Sequence, residues 1–372
     1  MVDFITPSNI DIRANDAIAS STARANGQLF FNTTSNSLHV YDGFSIGGYK
    51  TSLTAYSPAY RFQGESYGFT AGGYTASPTV NILSNFIGRI SFVSDANQSD
   101  FSDLSVYRKN MAGTSSTTSG YTIGGRYRPT PSNPAVFFTN QIEKFSFVSS
   151  SVGVVSASNA DGIDDPSGHS SESYGYAVGG QTPVEAYSTA IYQFSHSSNA
   201  DSTDIGELST GWRRGTSNSA DDYGYTAAGQ LSPVPTTYTN TIQKFPFSTS
   251  STSTNVGNLV VTRSSLASSS SSTHGYATGG VDTFPGSSTQ HNEIEKWPFS
   301  SDTSATDIGN LVRAVRTSQG VSSTFYGYTT GGNPGTVLSA DFIEKYPFSS
   351  DTDSVDIGNL TVPVQEGTGH QV

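Results

Sequence analysis

The chain has 372 residues, of which 30 are acidic and 18 basic, giving a formal charge of −12, and it contains no cysteine. The absence of cysteine excludes disulfides, thiolate nucleophiles and cysteine metal sites, and the acidic balance argues against nucleic acid as a partner. Glycine (38), tyrosine (20) and phenylalanine (21) are abundant, as is typical of short strands joined by tight turns. No stretch approaches the ~18 consecutive apolar residues of a membrane-spanning helix, so we expect no membrane insertion.

The start of the chain lacks the pattern of the remainder. Residues 1–26 are interpreted as an N-terminal arm, in which residues 15–26 form the one segment with helical character. Residues 27–55 are predicted to be a β-hairpin region, with strands at GQLFFN from Gly27, LHVYDG from Leu38 and FSIGG from Phe44. Residues 56–372 are predicted to form the repeated part.

Three short phrases recur in fixed order every fifty residues or so. The first comprises YGFTAGG ending at Gly73, GYTIGG at Gly125, YGYAVGG at Gly180, YGYTAAGQ at Gln230, HGYATGG at Gly280 and YGYTTGG at Gly332. The second carries two aromatic residues two positions apart, as in IEKFSF from Ile142, IQKFPF from Ile242, IEKWPF from Ile294 and IEKYPF from Ile343. The third joins Asp or Asn to Ile or Val and Gly, at Asp204, Asn255, Asp307 and Asp356. Such self-similarity predicts tandem supersecondary units.

Each phrase has a physical interpretation as part of a four-stranded blade. The glycine pair permits the positive φ of a sharp exit from an inner strand. Aromatic side chains two apart share one face of a strand, so we expect them to pack between neighbouring blades. The third phrase is interpreted as an Asx turn followed by a short outermost strand.

These repeats resemble the kelch family of β-propellers over residues ~56 to 361, although the kelch tryptophan near the fourth strand is missing and Trp297 lies in the second phrase instead. The resemblance implies an all-β propeller of four-stranded blades. Two ways of closing the ring stay open. One has six blades, and the other has seven, in which the strands of residues 27–55 join GTGHQV at the C-terminal end as a composite closing blade.

Nothing in the sequence argues for an enzyme. No two of the six histidines have a metal-ligand spacing, and His196 and His274 occupy aromatic positions of the repeat. Repeated lysines such as Lys244 are expected to pack along an aromatic neighbour and pair with a nearby acid. We therefore predict no catalytic residue, no metal site and no cofactor.

The segments that follow the glycine pairs vary in length and sequence while the frame repeats. Chain direction alternates within a blade, so these loops are expected to emerge on one face of the propeller. Their aromatic residues are the predicted binding residues: Tyr127, Phe137, Phe138, Tyr187, Tyr238 and Phe284. The alternative is that each aromatic side chain packs over its own blade.

The segment GQLFFNTTSNSLHVYDG, residues 27–43, resembles a hairpin common in bacteriophage tail-fibre and other virion proteins. The resemblance implies a non-enzymatic structural or adhesion protein of the virion: a tail-fibre, tail or capsid-decorating component. Its partners would be other virion proteins, through the N-terminal region, and a host-surface glycan or protein, through the loops, with a homo-oligomer left open. The alternatives are a cellular kelch-type interaction scaffold and a glycan-active propeller enzyme.

Overall fold

The computed structural model divides the chain into two compact units, residues 1–59 and residues 60–372. It describes residues 13–14, 29–32, 37–41, 49–54, 62–76, 81–130, 135–184, 187–233, 236–282 and 289–372. No helix occurs among these residues, and hence none that could span a membrane. The predicted helical segment at residues 15–26 lies outside them.

The N-terminal unit contains one four-stranded sheet. Its strands are Arg13–Ala14, Leu29–Asn32, Ser37–Tyr41 and Tyr49–Thr54, in that order across the sheet. The first pair is parallel and the others are antiparallel. The predicted strands at LFFN and LHVY therefore pair as a hairpin, whereas FSIGG lies outside the described residues.

The second unit contains six four-stranded antiparallel sheets, which confirms the predicted β-propeller of four-stranded blades. From the innermost strand outward, blade 1 is Thr368–Gln371, Tyr67–Ala71, Phe86–Ser91 and Ser99–Asp103; blade 2 is Ala112–Ser115, Ser119–Ile123, Gln141–Ser146 and Val154–Ser158; blade 3 is Ser167–Ser170, Tyr174–Val178, Ala190–Ser195 and Thr203–Glu207; blade 4 is Asn218–Ser219, Tyr223–Pro233, Thr236–Pro246 and Thr254–Asn258; blade 5 is Ala267–Ser270, His274–Thr278, Glu293–Pro298 and Thr306–Asn310; blade 6 is Gln319–Ser322, Tyr326–Thr330, Phe342–Pro347 and Val355–Asn359.

The two ends of this unit meet in blade 1. Thr368–Gln371 pairs antiparallel with Tyr67–Ala71, from Thr368 opposite Ala71 to Gln371 opposite Gly68. It also contacts the innermost strands of blades 2 and 6, which closes the circle. The end of the chain is thus a first strand, as expected, but its sheet partners are not the N-terminal strands. Of the two predicted closures the six-bladed ring forms, and in the described residues the N-terminal sheet pairs only within itself.

Stacked rings join each blade to the next, as the second phrase predicted. One ring comes from the second strand of a blade, and the other lies at or just after the end of the third strand of the neighbouring blade. The six pairs are Phe69–Phe147, Tyr121–His196, Tyr176–Phe247, Tyr225–Phe299, Tyr276–Phe348 and Tyr328–Phe92, with ring centroids 4.6 to 5.1 Å apart. His196 therefore takes the place of a phenylalanine in the interblade packing.

The glycine pairs that end the first phrase adopt positive φ. Blade 4 shows where the fourth copy of this phrase ends. Gly179 and Gly180 have φ of 66° and 89°, and the matching residues in blade 4 are Ala228 at 61° and Gly229 at 117°. The fourth copy thus ends at Gly229 and not at Gln230. Ala228 occupies a left-handed conformation that the other five blades assign to glycine.

The second phrase also buries an acid or amide between blades. Glu295 is fully buried, pairs with the buried Arg263 at 2.9 Å and accepts the Val260 N–H at 2.6 Å. In blade 4 the equivalent Gln243 is also buried and accepts the Ser209 N–H at 2.8 Å. The buried acid or amide therefore links the third strand, by hydrogen bonds, to the loop that arrives from the preceding blade.

The repeated lysines have the predicted structural role. Lys244 lies 4.4 Å from the ring centroid of Tyr223 and 3.1 Å from Asp302 of blade 5. Lys345 likewise lies 4.7 Å from the ring centroid of Tyr326 and pairs with Asp95 of blade 1. These side chains link neighbouring blades and do not form a separate basic ring.

Candidate functional site

One end of the propeller carries the segments that vary in length and sequence from blade to blade. We call it the loop face. It contains the segments after the glycine pairs and the residues just before each innermost strand, which meet through bridges such as Asp164 with Gln181 and Arg316 with Asn333. The opposite end, where tight turns join the first and second strands of blades 2 to 6, is called the turn face.

A closed ring of backbone hydrogen bonds surrounds the central channel at the loop face. Each blade contributes one non-glycine residue with φ between 55° and 61°, the residues being Asn110, Asp165, Arg214, Ser265, Thr317 and Glu366. The N–H of each donates to the carbonyl of its neighbour in the preceding blade, at 2.7 to 3.2 Å, and Asn110 donates to Glu366 to complete the circle. We call these six residues the mouth ring. Left-handed backbone at non-glycine residues is costly and often accompanies functional sites.

The channel behind the mouth ring is narrow. Its free volume is about 130 Å³, and small residues of the innermost strands line it, among them Gly113, Gly168, Ser268 and Gly369. A Cβ atom on Gly369 would lie 1.9 Å from the Gly320 carbonyl oxygen, so the innermost strands are in direct backbone contact. The lining also includes Phe62. Two residues later, the N–H of Gly64 donates to the Ser322 carbonyl at the turn face.

Charged side chains crowd the mouth of the channel. Asp165 accepts from Arg214 at 2.8 Å and lies 3.8 Å from Arg213. Asp164 accepts from Arg126 at 2.7 Å, and Glu366 pairs with Lys109 at 2.6 Å. We call these residues, together with Arg316, the mouth cluster.

Burial and neighbouring charges perturb this cluster. Burial, followed by the adjacent Asp165, raises the pKa of Asp164 to about 6. Burial alone would lower the pKa of Arg214, but the carboxylates of Asp165 and Glu366 outweigh it and raise that pKa. Burial and the guanidinium of Arg214 lower the pKa of Arg316.

Three of the predicted binding residues come together in a hairpin on the loop face of blade 2. Strand Arg126–Arg128 pairs with Phe137–Phe138 on one side and with Tyr107–Lys109 on the other, in a small separate sheet. The rings of Tyr127 and Phe137 lie 5.8 Å apart, and Phe137 is 45% exposed. Phe138 is half-buried under the guanidinium of Arg126, 4.6 Å from its ring centroid.

The other predicted residues lie on the loops of blades 3, 4 and 5. Tyr187 is half-buried and contacts Arg213 of the mouth cluster, with the guanidinium 5.4 Å from its ring centroid. Tyr238 is half-buried in a long hairpin of blade 4, opposite Gln230. Phe284 lies outside the described residues. Phe138 contacts Arg126 of its own blade, as in the alternative prediction, whereas Tyr187 contacts Arg213 of the next blade.

The mouth cluster is the part of the site that sequence reasoning missed. Apart from Arg126, its residues belong to pairs that precede the innermost strands and are spaced 49 to 55 residues apart: Lys109–Asn110, Asp164–Asp165, Arg213–Arg214, Ser264–Ser265, Arg316–Thr317 and Gln365–Glu366. That spacing is a usable signal. No group of three or more metal-ligating side chains occurs in the described part of the chain.

The chain matches no protein-family model and no curated protein. Among solved structures it is similar to one titled "Structure of YjhT", a propeller-type protein, with a TM-score of 0.58 at 10% sequence identity. The match covers 80% of this chain and 99% of the other. At this identity the likeness concerns the fold, which is a β-propeller.

Proposed function

We propose that this protein is a non-catalytic, kelch-like binding propeller of a bacteriophage virion, which docks through its N-terminal region and presents its loop face to a partner or a host-surface glycan. The observation that carries the binding role is the aromatic hairpin of blade 2. The virion assignment rests on the resemblance of residues 27–43 to tail-fibre hairpins.

The hairpin is a structured platform and not a loose loop. Arg126 stacks on Phe138 and pairs with the buried Asp164, so the base of the hairpin is held to the channel mouth. Tyr127 and Phe137 are in ring contact above it. Pre-ordered aromatic side chains suit sugar faces or protein anchors because little conformational entropy is lost on binding.

The acids of the mouth cluster favour binding over catalysis. Each of Asp164, Asp165 and Glu366 lies within 2.8 Å of a basic side chain. A carboxylate in such an ion pair is held by its basic partner. A general acid or base must instead lie within hydrogen-bond distance of the substrate proton that it transfers. A catalytic role would require these pairs to break.

The position of Phe62 supports a division of labour between the two ends. Phe62 and Gly64 lie by the turn face, so the chain enters the propeller at the end opposite the aromatic hairpin. Residues 62–64 therefore join the propeller away from the loop face.

The binding role is tested with the full chain on a panel of immobilised bacterial surface glycans and on host cells. Replacing Tyr127, Phe137 and Phe138 with alanine should reduce binding at least tenfold while the fold is retained, since the loss of aromatic anchors typically costs 2 kcal/mol or more. The matched control replaces Tyr174, Tyr223 and Phe325, exposed aromatics of the turn face, and should bind normally. Equal binding by both triple variants would contradict the assignment of the loop face.

The virion assignment has its own test. Antibodies against the chain should label purified phage particles, and deletion of residues 1–26 should reduce incorporation. Particles that lack the chain would show the assignment to be wrong whatever the glycan result.

A further inference from the structure

We propose that two copies of this chain associate about a two-fold axis through the outermost strand of blade 2, Val154–Ser158. This surface lies on the rim of the propeller, outside the loop face, so the proposal does not rest on the proposed function. It is carried by exposed valines that replace the polar residues of the other blades, and by two opposite charges that form no ion pair within the described residues.

The outermost strand of each blade has no further strand on its outer side. In blade 2 this edge carries Val152, Val154 and Val155, which are 55%, 61% and 46% exposed. We call these three residues the valine edge. They lie five, seven and eight residues after the stacked ring of their blade. The same positions hold Asn97, Ser99 and Asp100 in blade 1; Asp201, Thr203 and Asp204 in blade 3; Thr252, Thr254 and Asn255 in blade 4; Ser304, Thr306 and Asp307 in blade 5; and Asp353, Val355 and Asp356 in blade 6.

The frame of the propeller does not require these valines. The first of the three positions normally supplies an acceptor to the preceding blade: Asp201 accepts the N–H of Ser158 at 2.8 Å, and Asp353 accepts that of Asn310 at 2.8 Å. Val152 cannot accept a hydrogen bond, so blade 2 lacks this link. Polar and charged residues normally protect a strand edge from other chains, and an exposed apolar patch marks an interaction surface. The valine edge therefore fits a contact outside the single chain.

A positive charge lies at the beginning of the strand. Lys144 is opposite Val154 in the sheet, and its Nζ lies 5.6 Å from the ring centroid of Tyr121. Three equivalent lysines form ion pairs with aspartates of the next blade: Lys244, Lys296 and Lys345. Blade 3 has Asn199 at that aspartate position, and the exposed Asp103 of blade 1 does not pair with Lys144 either. Lys144 thus forms no ion pair in the described part of the chain.

A negative charge lies at the end of the same strand. Asp201 is exposed, holds the N–H of Ser158 and forms no ion pair among the described residues. A strand of this length separates its two ends by about 13 Å. A two-fold axis through the middle of the strand places the beginning of each copy beside the end of the other. Lys144 of each copy then meets Asp201 of the other, and the two valine edges lie on either side of the axis.

Charge favours a second copy at this edge over the other edges. The chain carries −12, and the outermost strands of blades 1, 3, 5 and 6 all contain acidic residues. Two copies that approached through those strands would bring like charges together, whereas the strand of blade 2 is uncharged. Because the contact is small, we expect a weak dimer of the class that buries less than about 1,200 Å².

The experiment measures the mass of the full chain by sedimentation equilibrium as the protein concentration is raised. The wild type should pass from monomer to dimer and form nothing larger, because a two-fold contact closes on itself. The triple variant Val152→Thr, Val154→Thr, Val155→Asn introduces the residues of blade 4 and no charge. It should weaken the dimer at least about tenfold, because the apolar contact is lost. Its thermal unfolding should match that of the wild type.

The matched control is Val355→Thr. Val355 is 54% exposed and occupies the position of Val154 in blade 6. Its replacement should leave the dimer unchanged.

Charge reversal tests the two-fold geometry. Lys144→Glu and Asp201→Lys should each weaken the dimer about tenfold, because each variant replaces two attractive pairs with two repulsive ones. An equal mixture of the two variants should restore association, since both pairs across its axis again join opposite charges. A chain that stays monomeric at every concentration, a dimer that the triple variant leaves unchanged, or a mixture that associates no better than either variant alone would overturn the proposal.

Discussion

Two buried histidines should make the propeller acid-sensitive. His169 and His370 occupy the same position in the innermost strands of blades 3 and 1, and both are completely buried. Their Nδ1 atoms lie 3.0 Å from the carbonyl oxygens of Asn218 and Thr114. Since a carbonyl only accepts, each Nδ1 carries the proton and donates. The Nε2 atoms lack a hydrogen-bond partner within the described residues, so a second proton would place an unpaired buried charge there.

The size of the effect follows from the pKa values. Burial lowers the pKa of each ring from 6.5 to about 4. Between these values the unfolded chain binds more protons than the native state, so the free energy of unfolding falls as the pH falls through this window. At pH 5 each histidine contributes a loss of about 2 kcal/mol, because pH 5 lies about 1.5 units below the unfolded-state pKa of 6.5 and each unit corresponds to about 1.36 kcal/mol. The two together remove about 4 kcal/mol of a typical total of 5–15 kcal/mol.

The test exchanges both histidines for the residue that blade 4 uses. Asn218 is the equivalent there, and its amide donates to the Ser269 carbonyl at 2.7 Å. The double variant His169→Asn, His370→Asn keeps a donor to the next blade but cannot titrate. It loses ring contacts with Phe245 and Phe145, so the pH dependence and not the absolute stability is compared.

The assay is chemical denaturation at pH 7 and at pH 5. Between pH 7 and pH 5 the wild-type free energy of unfolding should fall by roughly 3–4 kcal/mol more than that of the double variant. His274→Asn is the control, because His274 is only half-buried and its replacement should change the pH dependence less. A double variant with the full wild-type pH dependence would show that these two histidines do not cause the acid sensitivity.

Three further predictions concern the frame. Ala228→Gly should raise the free energy of unfolding by about 1 kcal/mol, because Ala228 has a φ of 61°; chemical denaturation that shows no gain would mean that the residue is unstrained. Arg263→Met should lower the free energy of unfolding by about 3–5 kcal/mol, because it leaves Glu295 unpaired. Adding Glu295→Gln should restore at least half of that loss. Purely additive losses in a double-mutant cycle would contradict the pairing. Gly369→Val should cost about 3 kcal/mol or more in thermal unfolding because of the Gly320 carbonyl, whereas Ser268→Ala at the equivalent position of blade 5 should cost much less.

The repeat phrases predicted the frame because their residues encode local backbone and packing. The positive φ of Gly179 and Gly180 and the interblade stacking of Phe247 on Tyr176 follow directly from residue type and spacing. Blade 4 was misaligned by one residue, since YGYTAAGQ contains no glycine pair and only the backbone identifies Ala228 as the left-handed residue.

Ring closure and the mouth cluster depended on tertiary structure. The phase of GTGHQV indicated a first strand, but only the pairing with Tyr67–Ala71 identifies its blade. The mouth ring has no residue signature, because Asn, Asp, Arg, Ser, Thr and Glu fill its six positions. What they share is a backbone hydrogen bond to the preceding blade, which exists only once the circle is complete.

The pairing in blade 1 also imposes a delay during synthesis. Tyr67–Ala71 is translated before its inner partner, which begins at Thr368. The interval from position 71 to position 368 is 297 residues. At ~5–20 residues per second, this interval lasts roughly 15–60 s. For that time the nascent chain carries an unpaired strand edge, a template for pairing with another chain. Slow translation or crowded polysomes should therefore favour association between incomplete chains, whereas the finished ring removes that edge.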